Sequence, residues 1–451
     1  MSAKGSATTK GHASSTHAPA DARPEYDVIV CGGGPGGSTA ATFLAREGLT
    51  VLLVDKAGFP RDKPCGDAVS GKSAAILREL GLTEAVEATP HTVALGVLFS
   101  SPAGDTVSIK FPIHKGPVVN SKRYNYDVPG YVCRREVFDD VLFQHAKALK
   151  SVTTLERHEV VDVLTHNGRT TGVLLRGPDG AERRATARVV VGADGAMSVV
   201  AQAVGAFDRD PEHWVGSYRS YFRGVKGLTD DIEIHFLESV LPGYFWIFPL
   251  DNGLANVGIG VLESEVRRSK GKGKRKRGAA APINMRKAMY EAIAEHPMFK
   301  ERFAGAVELP ESRKGWLLPL GSKHRPIHGE GWVLVGDAAA LIDPFSGEGI
   351  GNAMVSARLA SRTIAAALAA GGATAERLAP YEAAVRAELD EELKMSHRLQ
   401  KLGRVKFLLN FVIRRAARKP GVQRMISDML ADREKKEAFG NVWFYFKLLV
   451  T

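Results

Sequence analysis

Cysteine is scarce in this 451-residue chain: Cys31, Cys65 and Cys133 are the three, at unrelated spacings. So few thiols build neither a disulfide framework nor a zinc site, and no C-x-x-C redox pair is present. A reducing, cytoplasmic setting is the expectation that follows. Long apolar runs are missing too. No stretch of about 18 or more apolar residues occurs, so nothing in the sequence reads as a membrane span. Residues 1–23, MSAKGSATTKGHASSTHAPADAR, carry Ser, Ala, Thr and His without an apolar segment, and are expected to be a disordered tail rather than a secretory signal.

Negative charge is short as well, but only locally. The net charge is +11, and two stretches supply it. Eight of the eleven residues in RRSKGKGKRKR (267–277) are basic, and beyond residue 393 fourteen Lys or Arg face four Asp or Glu. Concentrated basicity points to an anionic surface meeting those segments. No nucleic-acid-binding motif accompanies it. The expected partner is therefore an anionic membrane face rather than nucleic acid, with a plain solvated loop as the other reading of 267–277. HRLQKLGRVKFLLNFVIRRAARKPG (397–421) reads as a helix, its apolar cluster Phe407 to Ile413 flanked by arginine and lysine. It suits a membrane surface, or a helical lid on its own domain. VWFYFKLLV, near the end of the chain, adds an aromatic cluster.

The composition is otherwise that of a soluble globular protein, 44% hydrophobic and 25% charged, long enough for two or three domains. The strongest local signal is YDVIVCGGGPGGSTAATFLAREGLTVLLVDK (26–56). It predicts a buried strand over 28–31, a glycine turn, a helix over 36–46 and a second strand over 50–55. The G-x-G-x-x-G glycines are Gly32, Gly34 and Gly37, with Gly36 beside them. The first permits a tight turn, the second lets backbone approach a pyrophosphate, and the third allows close helix–strand packing. The helix N-terminus then aims its free N–H groups at the phosphates. Asp55, followed by Lys56, stands where an acid accepts ribose hydroxyls.

Two distant segments choose between NAD and FAD. RVVVGADGAMSVV (188–200) is a buried strand ending at Asp194, and GWVLVGDAAALIDPFSGEGIGNAMVSARLA (331–360) is a strand ending at Gly336 and Asp337, followed by a glycine-rich turn and a small-residue helix. Strand-end aspartates suit the hydroxyls of a ribityl chain. A helix start over 347–351 suits the pyrimidine edge of a flavin, whose reduced form carries negative charge. FAD is the cofactor these features imply.

The set GGGPGGS, GADG…S and GWVLVGDAA…P.SGEGI resembles the flavoprotein superfamily of p-hydroxybenzoate-hydroxylase-like enzymes. Within it, FPRDKPCGDAVSGKSAAILRELGL (59–82) and PGYFWIFPL (242–250) resemble the geranylgeranyl reductase family, over roughly residues 25–360. The Y-x-W-x-F-P part of that family's motif matches at Tyr244, Trp246, Phe248 and Pro249. Pro242 stands one residue closer than the full pattern has it, and Ala201 stands where the GADG signature usually runs on to an arginine.

The resemblance implies an α/β architecture: a Rossmann-like FAD-binding domain with an inserted antiparallel-sheet substrate domain and a C-terminal helical segment. The expected division is 24–90, 130–205 and 312–385 for the discontinuous FAD-binding domain, 91–129 and 206–311 for the substrate domain with its basic loop 265–280, and 386–451 for the C-terminal segment. It further implies Asp55 at the adenosine ribose, Arg135 at the phosphate and ribitol, Asp337 at the ribityl–pyrophosphate segment, and Gly347, Gly349 and Ile350 at the isoalloxazine. Cys65, Gly66, Tyr244 and Trp246 would stand near the ring, with Cys65 and Tyr244 as candidate acids. Trp214, Tyr218 and Phe222 read as core. The implied activity is reduction of C=C bonds in an isoprenoid or similar long apolar substrate, with flavin N5 as hydride donor and either NAD(P)H or a small electron carrier as reductant, since the chain has a single dinucleotide fingerprint. The alternative is a flavin monooxygenase acting on an aromatic or polyene substrate. A halogenase is disfavoured because Tyr244 replaces the first Trp of its W-x-W-x-I-P signature. The sequence offers no metal site and leaves the oligomeric state open.

Overall fold

The structure, a computed structural model, describes residues 24–111, 130–267 and 283–423. The N-terminal tail, nearly all of the basic loop and the closing aromatic cluster lie outside the described residues.

Five runs of the chain become the parallel part of one sheet. In spatial order, Trp332–Leu334, Glu182–Gly192, Tyr26–Cys31, Val51–Asp55 and Val152–Glu156 lie parallel. Val28–Cys31, Val51–Val54 and Val189–Val191 are buried throughout, as continuous apolar runs must be when both faces of a parallel sheet are covered. The helix Pro35–Arg46 starts with proline at its first position, where no N–H is needed, and packs on the 20-residue helix Ile350–Ala369. Small residues let the two come close: a methyl carbon added at Gly36 would stand 3.4 Å from Ala353 Cβ. An antiparallel meander, Glu159–His166 and Arg169–Arg176, extends from the first half of Glu182–Gly192. Its first turn has Asn167 at φ 49 and Gly168 at φ 76, the two left-handed residues of a tight hairpin.

Among the described residues the second sheet has seven strands, in the order Val307–Pro319, Trp214–Arg223, Leu254–Leu262, Tyr244–Pro249, Asp231–His235, Gly96–Ser100 and Thr106–Lys110. Period-two alternation sorts its side chains. Phe245 and Ile247 join the core beneath the helix Met285–Glu295, with Phe299 and Phe303. Tyr244, Trp246 and Phe248 face the other way, with Tyr221 and Phe236, toward the cofactor half and the helix Lys406–Arg418. Of the aromatics expected in the core, Trp214 is fully buried, Phe222 nearly so, and Tyr218 packs on the same cluster.

Two of the expected limits fall inside single elements, and one expected helix is two. Resumption of the cofactor domain at 312 cuts through the strand Val307–Pro319, which is paired along its length with Trp214–Arg223; a register shift between Arg219 and Tyr221 hides its alternation in the sequence. A C-terminal segment beginning at 386 cuts the helix Ala375–Leu402, whose buried Leu378, Tyr381, Val385, Leu389 and Leu393 form one unbroken stripe. The single helix expected over 397–421 breaks at Gly403, and a separate helix runs over Lys406–Arg418.

Candidate active site

The ends of three parallel strands meet at the first glycine turn. Gly32 has φ +103, and a methyl carbon there would stand 2.4 Å from the Ala193 carbonyl oxygen. One added at Gly37 would stand 1.7 Å from the Gly32 carbonyl oxygen. No side chain fits at either position, so the helix Pro35–Arg46 sits directly on the turn. Above Gly34 lie two guanidinium groups: an added methyl carbon would be 3.5 Å from Arg61 Nη2 and 4.0 Å from Arg135 Nη2. Both arginines are anchored on the fully buried Asp139, Arg61 through Nη1 at 2.9 Å and Arg135 through Nε and Nη2 at 2.6 and 2.7 Å. Burial works against the Arg135 charge, but Asp139 and the Cys65 thiol hold it above its ordinary value. A helix N-terminus, a bare glycine backbone and two fixed cations fit the pyrophosphate of FAD.

The four acids and bases expected around the nucleotide stand in different ways. Asp55 closes its strand and accepts from Gly33 N at 2.7 Å and Ala57 N at 2.8 Å. Lys56 is exposed beside it. The Asp194 carboxylate accepts from Ser198 Oγ at 2.5 Å, Val199 N at 2.6 Å and Val200 N at 3.2 Å, capping a short helix. Asp337 is half-buried on the 3-10 turn that begins at Gly336, and Gly349 stands next to it, an added methyl carbon there lying 3.4 Å from its Oδ1. Opposite is Lys63, with its ammonium 4.1 Å from the centre of the Trp316 ring. Burial pulls Lys63 down to about 8 against the attraction of Asp337.

Cys65, Tyr244, Trp246 and Gly347 surround the next part of the cleft. Gly347, at φ +75, leaves room for Tyr244, whose Oη would be 2.9 Å from an added methyl carbon. Gly349 precedes the helix that starts at the buried Ile350. The Tyr244 hydroxyl donates to the Ser346 carbonyl at 2.7 Å, so its proton is committed. Burial, with Asp343 nearby, also holds that phenol above its usual range. Trp246 stands edge-on to Tyr244, ring centres 6.1 Å apart, and lies flat on Gly258, where an added methyl carbon would be 2.2 Å from the indole. The Cys65 thiol is half-buried; burial raises it and Arg135 beside it lowers it.

Past Tyr244 opens a cavity lined by Phe236, Pro242, Trp246, Leu318, Ile342 and Phe345 among others, with Asp343 and Gln400 at its polar edge. Its walls are predominantly hydrocarbon. Sequence reading missed four polar residues here: Arg61, Lys63, Asp67 and Asn256. Asn256 had left a signal, as the one polar side chain in LANVGIGVL. Among the described residues no group of His, Cys, Asp or Glu could hold a metal.

The FAD binding domain family matches residues 25–296. Menaquinone reductase of Mycobacterium tuberculosis is 31% identical over 343 residues, 75% of this chain and 76% of that one. Digeranylgeranylglycerophospholipid reductase of Methanocella arvoryzae is 30% identical over 386 residues, 84% of this chain and 88% of the relative. The chain belongs to the geranylgeranyl reductase family of FAD-dependent oxidoreductases. Among solved structures, a geranylgeranyl bacteriochlorophyll reductase-like protein from Thermoplasma acidophilum matches with a TM-score of 0.73 at 23% identity, covering 87% of this chain and 92% of that one. That likeness shows the fold.

Proposed function

We propose that this flavoenzyme saturates C=C bonds of an isoprenoid chain carried by a lipid. The observation that carries the reading is the cavity: a hydrocarbon-lined space that opens beside Tyr244, Trp246 and Gly347, the residues this reading sets against the flavin ring. Relatives named for a menaquinone and for a digeranylgeranyl phospholipid support it. Gly32, Gly34, Gly36 and Gly37 with Arg61 and Arg135 would hold the FAD pyrophosphate, Asp55 the adenosine end, Asp337 the ribityl segment, and Gly347, Gly349 and Ile350 the ring. FAD bound there supplies the hydride, drawn from NAD(P)H or a small carrier.

An isolated alkene also needs a proton, well aligned. Cys65 is the better donor of the two expected acids. Burial keeps its thiol protonated, and Arg135 stands ready to stabilise the thiolate left behind. Tyr244 shapes the wall, its own proton being bound to Ser346. Phe236, Trp246 and Phe345 exclude water from the reacting carbons.

Access is from an anionic membrane surface. No helix among the described residues is long and apolar enough to cross a bilayer. The helix Lys406–Arg418 buries Ile413 and Ala416 against the sheet, while Phe407 is 78% and Val405 49% exposed at its start. Arg404 and Lys406 flank them, paired with Glu212 and Glu238. This arrangement suits shallow insertion among headgroups. Phe407→Ser is expected to weaken binding to phosphatidylglycerol vesicles; unchanged binding contradicts the docking reading.

The test of the activity is anaerobic. Photoreduced holoenzyme mixed with a geranylgeranyl lipid should recover the oxidised flavin spectrum without oxygen. Recovery that requires oxygen and yields a hydroxylated lipid assigns a monooxygenase instead.

A further inference from the structure

The turn Cys65-Gly66-Asp67 belongs to the cofactor half, yet it is fastened to the substrate sheet. Asp67 is fully buried with φ +66. Its Oδ2 accepts from the Tyr221 hydroxyl at 2.8 Å and Asn256 Nδ2 at 2.7 Å, and its Oδ1 from Arg135 N at 3.2 Å. Asn256 Nδ2 donates a second bond to the Cys65 carbonyl at 2.7 Å, while Asn256 Oδ1 accepts from Trp246 Nε1 at 2.9 Å. An indole can only donate, and a carbonyl and a carboxylate can only accept, so these neighbours fix which way the amide faces. Tyr221 and Phe248 are the cross-strand partners of Asn256 on its two sides. Gly66 closes against the same wall: an added methyl carbon would lie 2.8 Å from the Phe248 ring.

One amide therefore holds both groups that the proposed reaction places beside the flavin, the Cys65 turn and the Trp246 ring. We propose that Asn256, with Asp67 and Tyr221, is the positioning set of this site, clamping the Cys65 turn and the Trp246 indole to one strand so that thiol and ring keep a fixed relation to the cofactor. This inference rests on the reading that Cys65 and Trp246 face the flavin. A purely packing role does not call for an amide inside the apolar run LANVGIGVL, whereas a side chain that must accept from the buried Trp246 indole N–H and donate to both the Cys65 carbonyl and Asp67 has to be one.

Charge adds a second hold. Asp67 is faced by Arg219 and Tyr221 from one strand, Asn256 from the next, Arg135 from its helix, and Cys65 and Cys133 from its own side. Burial raises its carboxyl to about 6 against Arg219, Asn256 and Tyr221. At neutral pH it is mostly ionised, and that charge pushes the Cys65 thiol up. The set thus keeps the thiol protonated as well as in place.

Alkylation of Cys65 by N-ethylmaleimide, mapped by mass spectrometry on FAD-loaded protein, reads both holds, with the fully buried Cys31 and Cys133 as references. Asn256→Leu is expected to speed Cys65 modification about tenfold, the scale of one lost buried hydrogen bond, with bound FAD retained. Asp67→Asn is expected to move the pH midpoint of modification downward, and further than Asn256→Leu or Tyr221→Phe, which loosen the same turn but leave the carboxylate in place. Tyr221→Phe, which removes one hydroxyl, serves if Asn256→Leu fails to fold, and is expected to show the same acceleration to a smaller degree. Unaltered rates in the folded position-256 or position-221 variant, together with an unaltered midpoint in Asp67→Asn, overturn the proposal. Wild-type protein that binds no FAD would overturn the proposed function instead; the same alkylation comparison on that protein would still read the clamp.

Discussion

At Gly37 a single added carbon would stand 1.7 Å from a carbonyl oxygen; at Asn256 the side chain reaches three separate partners. The nucleotide wall of the cleft is made of main chain brought close by the lack of side chains, with Arg61 and Arg135 added where charge is needed. The sheet wall is made of large side chains held by a few buried polar ones. A main-chain wall tolerates no substitution and writes itself into the sequence as glycine spacing. A side-chain wall can be rebuilt for another substrate, which is why one scaffold serves several chemistries.

Gly37→Ala should break the first wall outright. The helix cannot approach the turn, the cost is about 3 kcal/mol or more, and protein that folds at all should lack flavin absorbance. The two strand-end acids sharpen the same point. Asp337→Ala should lose flavin while the apoprotein melts close to wild type. Asp194→Ala, which removes three internal hydrogen bonds, should destabilise even the apoprotein by roughly 2 kcal/mol, read by thermal melting. On the sheet wall, Gly258→Ala should keep flavin but push the indole off its seat, costing about 1–3 kcal/mol and lowering turnover.

Asp67 predicts a pH effect. Its carboxyl, raised from 3.8 to about 6, holds its proton more tightly in the folded state. The stabilisation this gives is complete below pH about 4 and is lost as pH rises through about 6, so Asp67→Asn should flatten that part of the stability profile in denaturant titrations. Tyr244→Phe should be the mildest change. The lost bond to Ser346 is worth about 1 kcal/mol, and turnover should stay within a few-fold of wild type, because the phenol proton is already committed.

The contrast explains what could be read beforehand. The glycine turn of Gly32, Gly34 and Gly37, with Asp55 closing the next strand, was legible because such a turn is a local device with fixed spacing. That Tyr244, Trp246 and Phe248 share one face of a strand was legible in their alternation. Asn256 and Asp67 meet across 189 residues, and nothing in either segment announces the other. At Asp194 the spacing shows an acid at a strand end, but not that Ser198 and two backbone N–H groups donate to its oxygens. The limits drawn at 312 and 386 fall where a bulged strand and a long helix run through a change of composition without a break.

The most direct measurement is the mass of a polyprenyl lipid after one anaerobic turnover of reduced holoenzyme. The account predicts a gain of two hydrogens and no oxygen. An unchanged lipid, or one that gains oxygen only when air is admitted, would contradict it.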